Sequence, residues 1–182
     1  MDGGRPDIVG DPITQGALRT TGEAIRLAAT WPQSPGQVLA RLHLLAARDL
    51  AEPADLGRPR PYADRKRLDQ LLRLGSGNTA APGVVVAAIV HGELMAMNVF
   101  DPGGGLVARA AERIVLMARG VDQLGLGVPE AGHLAAAGAY QPLIQAYASG
   151  LPDAVGAWVR HCCGAYAHGA EVGLAHASGA PG

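Results

Sequence analysis

The sequence predicts an all-α, mainly helical fold, with a short β-hairpin flap as its one optional exception. Three observations carry that expectation. Helix-start signals recur: Asp11-Pro12, Ser34-Pro35, Pro129-Glu130 and Pro152-Asp153 each set proline beside a residue suited to the first turn. Apolar residues repeat at helical spacing, and alternating strand patterns are scarce. Finally, 48% of the chain is hydrophobic but only 4% is aromatic, so the core must be built from Ala, Leu and Val, whose small side chains allow close helix packing.

Taken in order, Asp11 caps a helix running to about Thr30. Ser34-Pro35-Gly36-Gln37 reads as a capping box opening a second helix, with Val38, Leu42 and Leu45 on its apolar face and Arg41 and Arg48 outward. Three prolines and a glycine between Glu52 and Ala63 predict a loop or a short extended hairpin. Asp64 caps a third helix bearing Leu68, Leu71 and Leu72, and Gly75-Ser76-Gly77 stops it. Pro82 starts a fourth, Val84 to about Met97, apolar nearly all round and therefore the central buried helix. A fifth spans Leu106 to Arg119, with Ile114, Val115 and Met117 inward and Arg113 and Arg119 outward. A sixth begins at Pro129 and is interrupted near Gly138 and Pro142. The last begins at Pro152 and carries Val155, Trp158, Val159, Cys162 and Tyr166. The 182 residues read as one domain over 1–176 and a C-terminal tail at 177–182.

Composition narrows the function classes. A net charge of −1 supplies no global field toward nucleic acid or membrane. The longest apolar run, Val84 to Val90, ends at His91 and Glu93, too short to span a bilayer. No signal peptide is read at the N-terminus. Adjacent Cys162 and Cys163 cannot staple a fold, and free thiols suit a reducing cytoplasm.

The most informative segment is Asn98-Val99-Phe100-Asp101-Pro102-Gly103-Gly104-Gly105-Leu106-Val107-Ala108-Arg109. A buried helix ends, three glycines follow and a second helix begins, so backbone N–H groups converge where an anion can sit. Arg109 lies about one turn inside the second helix and adds a fixed positive charge. Gly103, Gly104, Gly105 and Arg109 are therefore the candidate phosphate-binding residues. The competing structural reading gives the glycines a tight helix crossing and pairs Arg109 with Glu112 or Glu93.

This segment resembles the Fic/Doc (Fido) family, whose signature in residue types is His-Pro-Phe-x-Asp/Glu-Gly-Asn-Gly-Arg-x-x-Arg. Phe100, Gly103, Gly105 and Arg109 match it in type and spacing. The resemblance extends over roughly Ser34 to Arg119, with Arg58-Pro59-Arg60-Pro61 in the place of the family's flap. It implies a helical core with a hairpin flap over a nucleotide pocket. It also implies AMP transfer from ATP, with magnesium, to a protein hydroxyl, or phosphate transfer in some members. The residues of the chemistry are replaced. Asn98 stands at the catalytic His position and cannot take a proton, which costs about 10²–10⁴-fold in rate. Pro102 replaces the metal-holding carboxylate, with Asp101 one place early, and Leu106 replaces the first phosphate-binding Arg, a loss of about 1.5–3 kcal/mol. No Ser or Thr has Glu four residues on, so the family's self-inhibitory helix motif is absent.

Other constellations carry blander expectations. Gly75 to Ala80 looks like a dinucleotide fingerprint but follows a helix rather than a strand, and reads as a helix stop. On one helix, His161 and His168 lie roughly 10 Å apart, too far to share an ion with bonds of about 2 Å, so no metal is assigned there. His91 reads as a core histidine bonded to a neighbouring carbonyl. Glu93, on a buried helix, needs a partner such as Arg109 or Arg113. The basic run Arg58, Arg60, Arg65, Lys66, Arg67, Arg73 has little aromatic interleaving and reads as a solvated surface, not a nucleic-acid arm. Within the resemblance, Arg58, Arg60 and Tyr62 form a target-binding flap.

The expectation is a degenerate Fic/Doc-like protein that binds a nucleotide, another phosphate-bearing ligand or a protein partner without standard AMP transfer. Two rivals stand beside it. One is an active adenylyltransferase or phosphotransferase using Asp101 and Arg109 with ATP and magnesium. The other is a structural interaction module with no ligand. Small-residue helices such as Ala135-Ala136-Ala137 leave room for self-association.

Overall fold

The computed structural model describes residues 10–77 and 79–179, and among them it is all-α. The eight helices of the described residues are α1 (Pro12–Thr30), α2 (Pro35–Ala47), α3 (Arg65–Gly75), α4 (Gly83–Ala96), α5 (Gly104–Ala118), α6 (Pro129–Ala135), α7 (Ala137–Tyr147) and α8 (Pro152–Ala177). Asn78, in the stretch expected to stop α3, and residues 180–182 of the expected tail lie outside the described residues.

The α4–α5 pair is the centre. The short connection between them makes them close neighbours, and α1, α2 and α3 pack on one part of the pair while α7 and α8 pack on α4. Two apolar clusters result. The larger joins α1 to α5 around Trp31, Leu42, Val90, Ile114 and Leu116. The smaller joins α4, α7 and α8 around Ala88, Tyr140, Tyr147, Trp158 and Cys162. Helix α4 contributes to both, because it is apolar on every face.

Local chemistry explains the helix starts. Asp11 Oδ2 accepts from the Thr14 N–H at 2.8 Å, and Asp64 Oδ1 from the Arg67 N–H at 2.9 Å. Several expectations are corrected. Ser34 makes no side-chain cap bond, because its backbone (φ −145°, ψ 58°) does not present the hydroxyl to the first turn, so no capping box forms. No hairpin flap forms: residues 52–64 are turns, since Pro53, Pro59 and Pro61 cannot donate to a ladder. Helix α5 starts at Gly104, not Leu106. Arg113 and Arg119 do not point freely outward. Arg113 donates to the Gly125 carbonyl at 2.7 Å, and Arg119 to those of Thr79 and Ala81 at 3.1 and 2.9 Å, so both clamp loops. Pro142 is tolerated inside α7, and the break falls at Ala136. Ala135, Ala136 and Ala137 are exposed.

Candidate functional site

The glycine turn is built from its backbone. Asn98 ends α4 in the left-handed region (φ 46°), which asparagine tolerates better than most residues. Val99 and Phe100 then plunge into the core, at 0% and 3% exposure, and anchor the turn. A cis Asp101–Pro102 bond and Gly103 at φ 87° complete the reversal into α5. The first-turn N–H groups of Gly104 and Gly105 have no acceptor within their own helix. Asn98 is exposed, and a β-carbon on Gly104 would lie 3.9 Å from its Oδ1.

His43 of α2 holds this turn to the preceding loop. The Gly57 N–H donates to Nδ1 at 3.1 Å, so Nε2 carries the proton and donates to the Pro102 carbonyl at 3.1 Å. Phe100 packs on the ring at 4.8 Å between centroids. Burial lowers the His43 pKa, which keeps the ring neutral. In the same loop, the Arg60 N–H donates to the Val99 carbonyl at 2.9 Å, and its guanidinium lies 3.5 Å from Asp101 and 4.4 Å from the Tyr62 ring centre. Asp101 is therefore engaged at the surface, with its side chain 60% exposed. Arg58 and Tyr62 are exposed beside it.

Arg109 folds back along α5. A β-carbon on Gly105 would sit 3.4 Å from its Nη1, so the guanidinium overlies the helix start. The same side chain lines a cavity of about 470 Å³ with Glu130, His133, Leu134, Ala137, Tyr140 and Gln141. Burial pushes the Tyr140 hydroxyl pKa up to about 12, against the opposing charge of Arg109. Glu130 Oε2 is buried without a hydrogen-bond partner. The glycines do not line this cavity. Leu106 packs on the apolar core, as does Met97.

Below the cavity lies a buried polar cluster. Tyr140 Oη is 2.6 Å from His91 Nε2, and His91 Nδ1 is 2.7 Å from Glu112 Oε2. His133 Nε2 reaches the same Oε2 at 2.8 Å, and His161 Nε2 lies 3.1 Å from His133 Nδ1. The Cys162 sulfur lies with the ligand atoms of His91, Glu112 and His133, all within 4.8 Å of one another, and burial pushes its thiol pKa up. Burial pushes the Glu112 carboxyl up, but His91 and His133 together outweigh it and hold it at about 2. Burial lowers the His91 pKa despite Glu112. Glu112 Oε2 accepts from both rings, so His91 turns Nδ1–H and His133 turns Nε2–H toward it. His91 is thus a core histidine as expected, but it answers a carboxylate and a phenol, not a carbonyl. Glu93 pairs with neither Arg109 nor Arg113. Arg67 binds it through two bonds of 2.6 and 2.9 Å, and the Tyr147 hydroxyl donates at 2.8 Å. Arg109 makes no ion pair with Glu112 or Glu93 among the described residues; Arg67 holds Glu93, and His91 and His133 hold Glu112.

Comparison with protein-family models, curated proteins and solved structures finds no match to this chain.

The structure brings Gly103, Gly104, Gly105, Asn98 and Arg109 together at one helix start, and groups Asp101 with Arg58, Arg60 and Tyr62 at the adjoining loop. The polar groups that share the cavity with Arg109 were not legible as a set. Glu112 carried a signal: it occupies the inward stripe of α5 between Ala108 and Val115, where a charge demands partners. Glu130, His133 and Tyr140 are brought in by the α6–α7 turn and carry no signal of spacing.

Proposed function

We propose that this chain is a degenerate Fic/Doc-like domain that binds a phosphate-bearing small ligand, a nucleotide first among them, without transferring AMP. The observation that carries the reading is Arg109, which overlies the start of α5 and lines the cavity with the same guanidinium. An anion in the cavity meets that charge, while the N–H groups of the α5 start, which have no intrahelical acceptor, lie outside the cavity lining on the other side of the same side chain's reach. Glu130, with a buried oxygen lacking a partner, offers an acceptor to a ligand N–H or O–H group in the same cavity. A nucleotide carries both a phosphate and such donors. A volume of about 470 Å³ falls in the range of small-molecule sites.

The side chains argue against transfer. Asn98 offers no basic nitrogen to take a proton, Asp101 is paired with Arg60, and Leu106, partly buried against the core, carries no charge for a phosphate. A target protein docking at Arg58, Arg60 and Tyr62 would lie beside the turn.

The test is a thermal-shift titration with ATP, ADP and GTP, with and without magnesium. Ligand at 100-fold its Kd stabilises by about 2.7 kcal/mol, a rise of several degrees. Arg109→Ala should remove the shift, and Glu130→Gln should change the preference among nucleotides. No shift at millimolar nucleotide refutes the reading in favour of an interaction module. Label passing from ATP to proteins of a cell extract refutes the non-catalytic part.

A further inference from the structure

We propose that His91, Glu112, His133 and Cys162 form a closed four-coordinate site for a borderline divalent transition metal ion of the zinc(II) class. Each ligand comes from a different helix: α4, α5, α6 and α8 in turn. All four residues are buried, and their ligating atoms lie within 4.8 Å of one another. A tetrahedral zinc ion with bonds of about 2.0–2.3 Å sets neighbouring ligand atoms roughly 3.3–3.8 Å apart. The two close nitrogen–oxygen contacts of 2.7 and 2.8 Å would open by about half an ångström, and the widest separation would close by about one.

Charge supports the site independently of distance. No lysine or arginine forms an ion pair with Glu112 among the described residues, although its side chain is only 2% exposed. A buried carboxylate needs a cation or a full set of donors. A divalent ion with the Glu112 carboxylate, the Cys162 thiolate and two neutral imidazoles has zero net charge, which suits a dry interior. Two nitrogens, one oxygen and one sulfur favour zinc, cobalt or copper over magnesium and calcium.

The outer partners also match. A metal-bound histidine donates its remaining N–H to a fixed acceptor. His91 Nε2 faces the Tyr140 hydroxyl at 2.6 Å, and His133 Nδ1 faces His161 Nε2 at 3.1 Å. On binding, each ligand imidazole carries its proton on the nitrogen away from the ion. His91 then donates to Tyr140 Oη, and His133 to His161 Nε2. The Tyr140 hydroxyl proton turns toward the cavity it lines, and the His161 proton moves to Nδ1. The Cys162 S–H bond breaks, its proton leaves to solvent, and one proton is released per ion with no redox change. His133 lines the cavity and touches Glu112, which gives the ion an entry path. With four protein ligands and no open position, the ion is a structural clamp joining four helices, not a catalytic centre.

The experiment uses the full chain, stripped with chelator, checked for helicity by circular dichroism and titrated with zinc(II) and cobalt(II). The expected results are one equivalent bound, a raised Tm, release of one proton, and a cobalt spectrum with intense tetrahedral visible bands and a sulfur-to-cobalt charge-transfer band. Cys162→Ser should erase the charge-transfer band and weaken zinc binding at least 100-fold, and Tyr140→Phe should weaken it 10- to 100-fold. Cys163→Ser should change neither. Should Cys162→Ser fail to fold, the wild-type cobalt spectrum decides alone. Absence of binding by the folded stripped protein overturns the proposal. So does binding without the sulfur band, which would put the ion on exposed histidines such as His168, or binding that Cys162→Ser leaves unchanged.

Discussion

Replacing Gly92 with alanine measures how closely α4 is seated against the aromatic cluster. An added β-carbon would lie 2.7 Å from Trp158 Nε1 and 2.8 Å from Tyr147 Cζ, against an ordinary contact distance of 3.4 Å. The indole must therefore give by about 0.7 Å, yet Trp158 is fully buried and its N–H donates to the Ala88 carbonyl at 2.8 Å. A shift of that size carries the bond past the usual range of about 2.7–3.2 Å. Overpacking costs about 1–3 kcal/mol and the weakened bond about 0.5–1.5 kcal/mol, while alanine returns about 1 kcal/mol of helix propensity. The net expectation is a loss of about 1–3 kcal/mol, or a Tm lower by roughly 3–10 °C. Urea and thermal unfolding read it directly. A Gly92→Ala protein as stable as the parent, or more so, would refute the claim that the indole is pinned.

Stability should fall with pH through His43. Its folded-state pKa lies below the ordinary 6.5, so the unfolded chain takes up a proton that the folded chain resists. The contribution is whole above pH 6.5 and declines as pH drops toward the folded-state value; His43→Gln should flatten this slope in urea midpoints, and an unchanged slope refutes it. Arg67→Met should cost about 1–3 kcal/mol in urea unfolding, because it leaves the largely buried Glu93 carboxylate with Tyr147 alone. Adding Glu93→Gln should recover part of that loss, and strict additivity would show the pair to be uncoupled. A thiol reagent should modify half-buried Cys163 in the folded protein and reach buried Cys162 only in denaturant. Equal rates at both positions would contradict the placement of α8.

Helix starts were legible because their chemistry is local. Asp11 and Asp64 cap through bonds three residues long, and the prolines at Pro12, Pro35, Pro129 and Pro152 occupy first turns wherever tertiary contacts lie. The apolar circumference of α4 likewise announced a central helix. Partner choice was not legible, because it depends on which helices meet. Glu93 found Arg67 from α3, since α3 packs on α4 beside Tyr147. The 52–64 loop showed the reverse error: its spacing allowed a hairpin, but prolines removed the donors a ladder requires. At the glycine turn, the positive φ at Asn98 and Gly103 followed from residue type, whereas the reach of Arg109 into a cavity walled by α6 and α7 did not. The Glu112 cluster draws on residues from His91 to Cys162, beyond any local pattern.

The chain holds two tryptophans, and they occupy different clusters. Trp31 donates its indole N–H to the Gly75 carbonyl at 2.9 Å, within the larger cluster, and Trp158 sits in the smaller one at 5.0 Å from the His91 ring. Each is thus an intrinsic fluorophore with its own territory. Single-tryptophan versions made with Trp31→Phe or Trp158→Phe would let emission follow the two territories separately, one against Gly75 at the end of α3 and one around the histidines. Superimposed melting curves would describe one cooperative body, and staggered curves would show which territory loosens first.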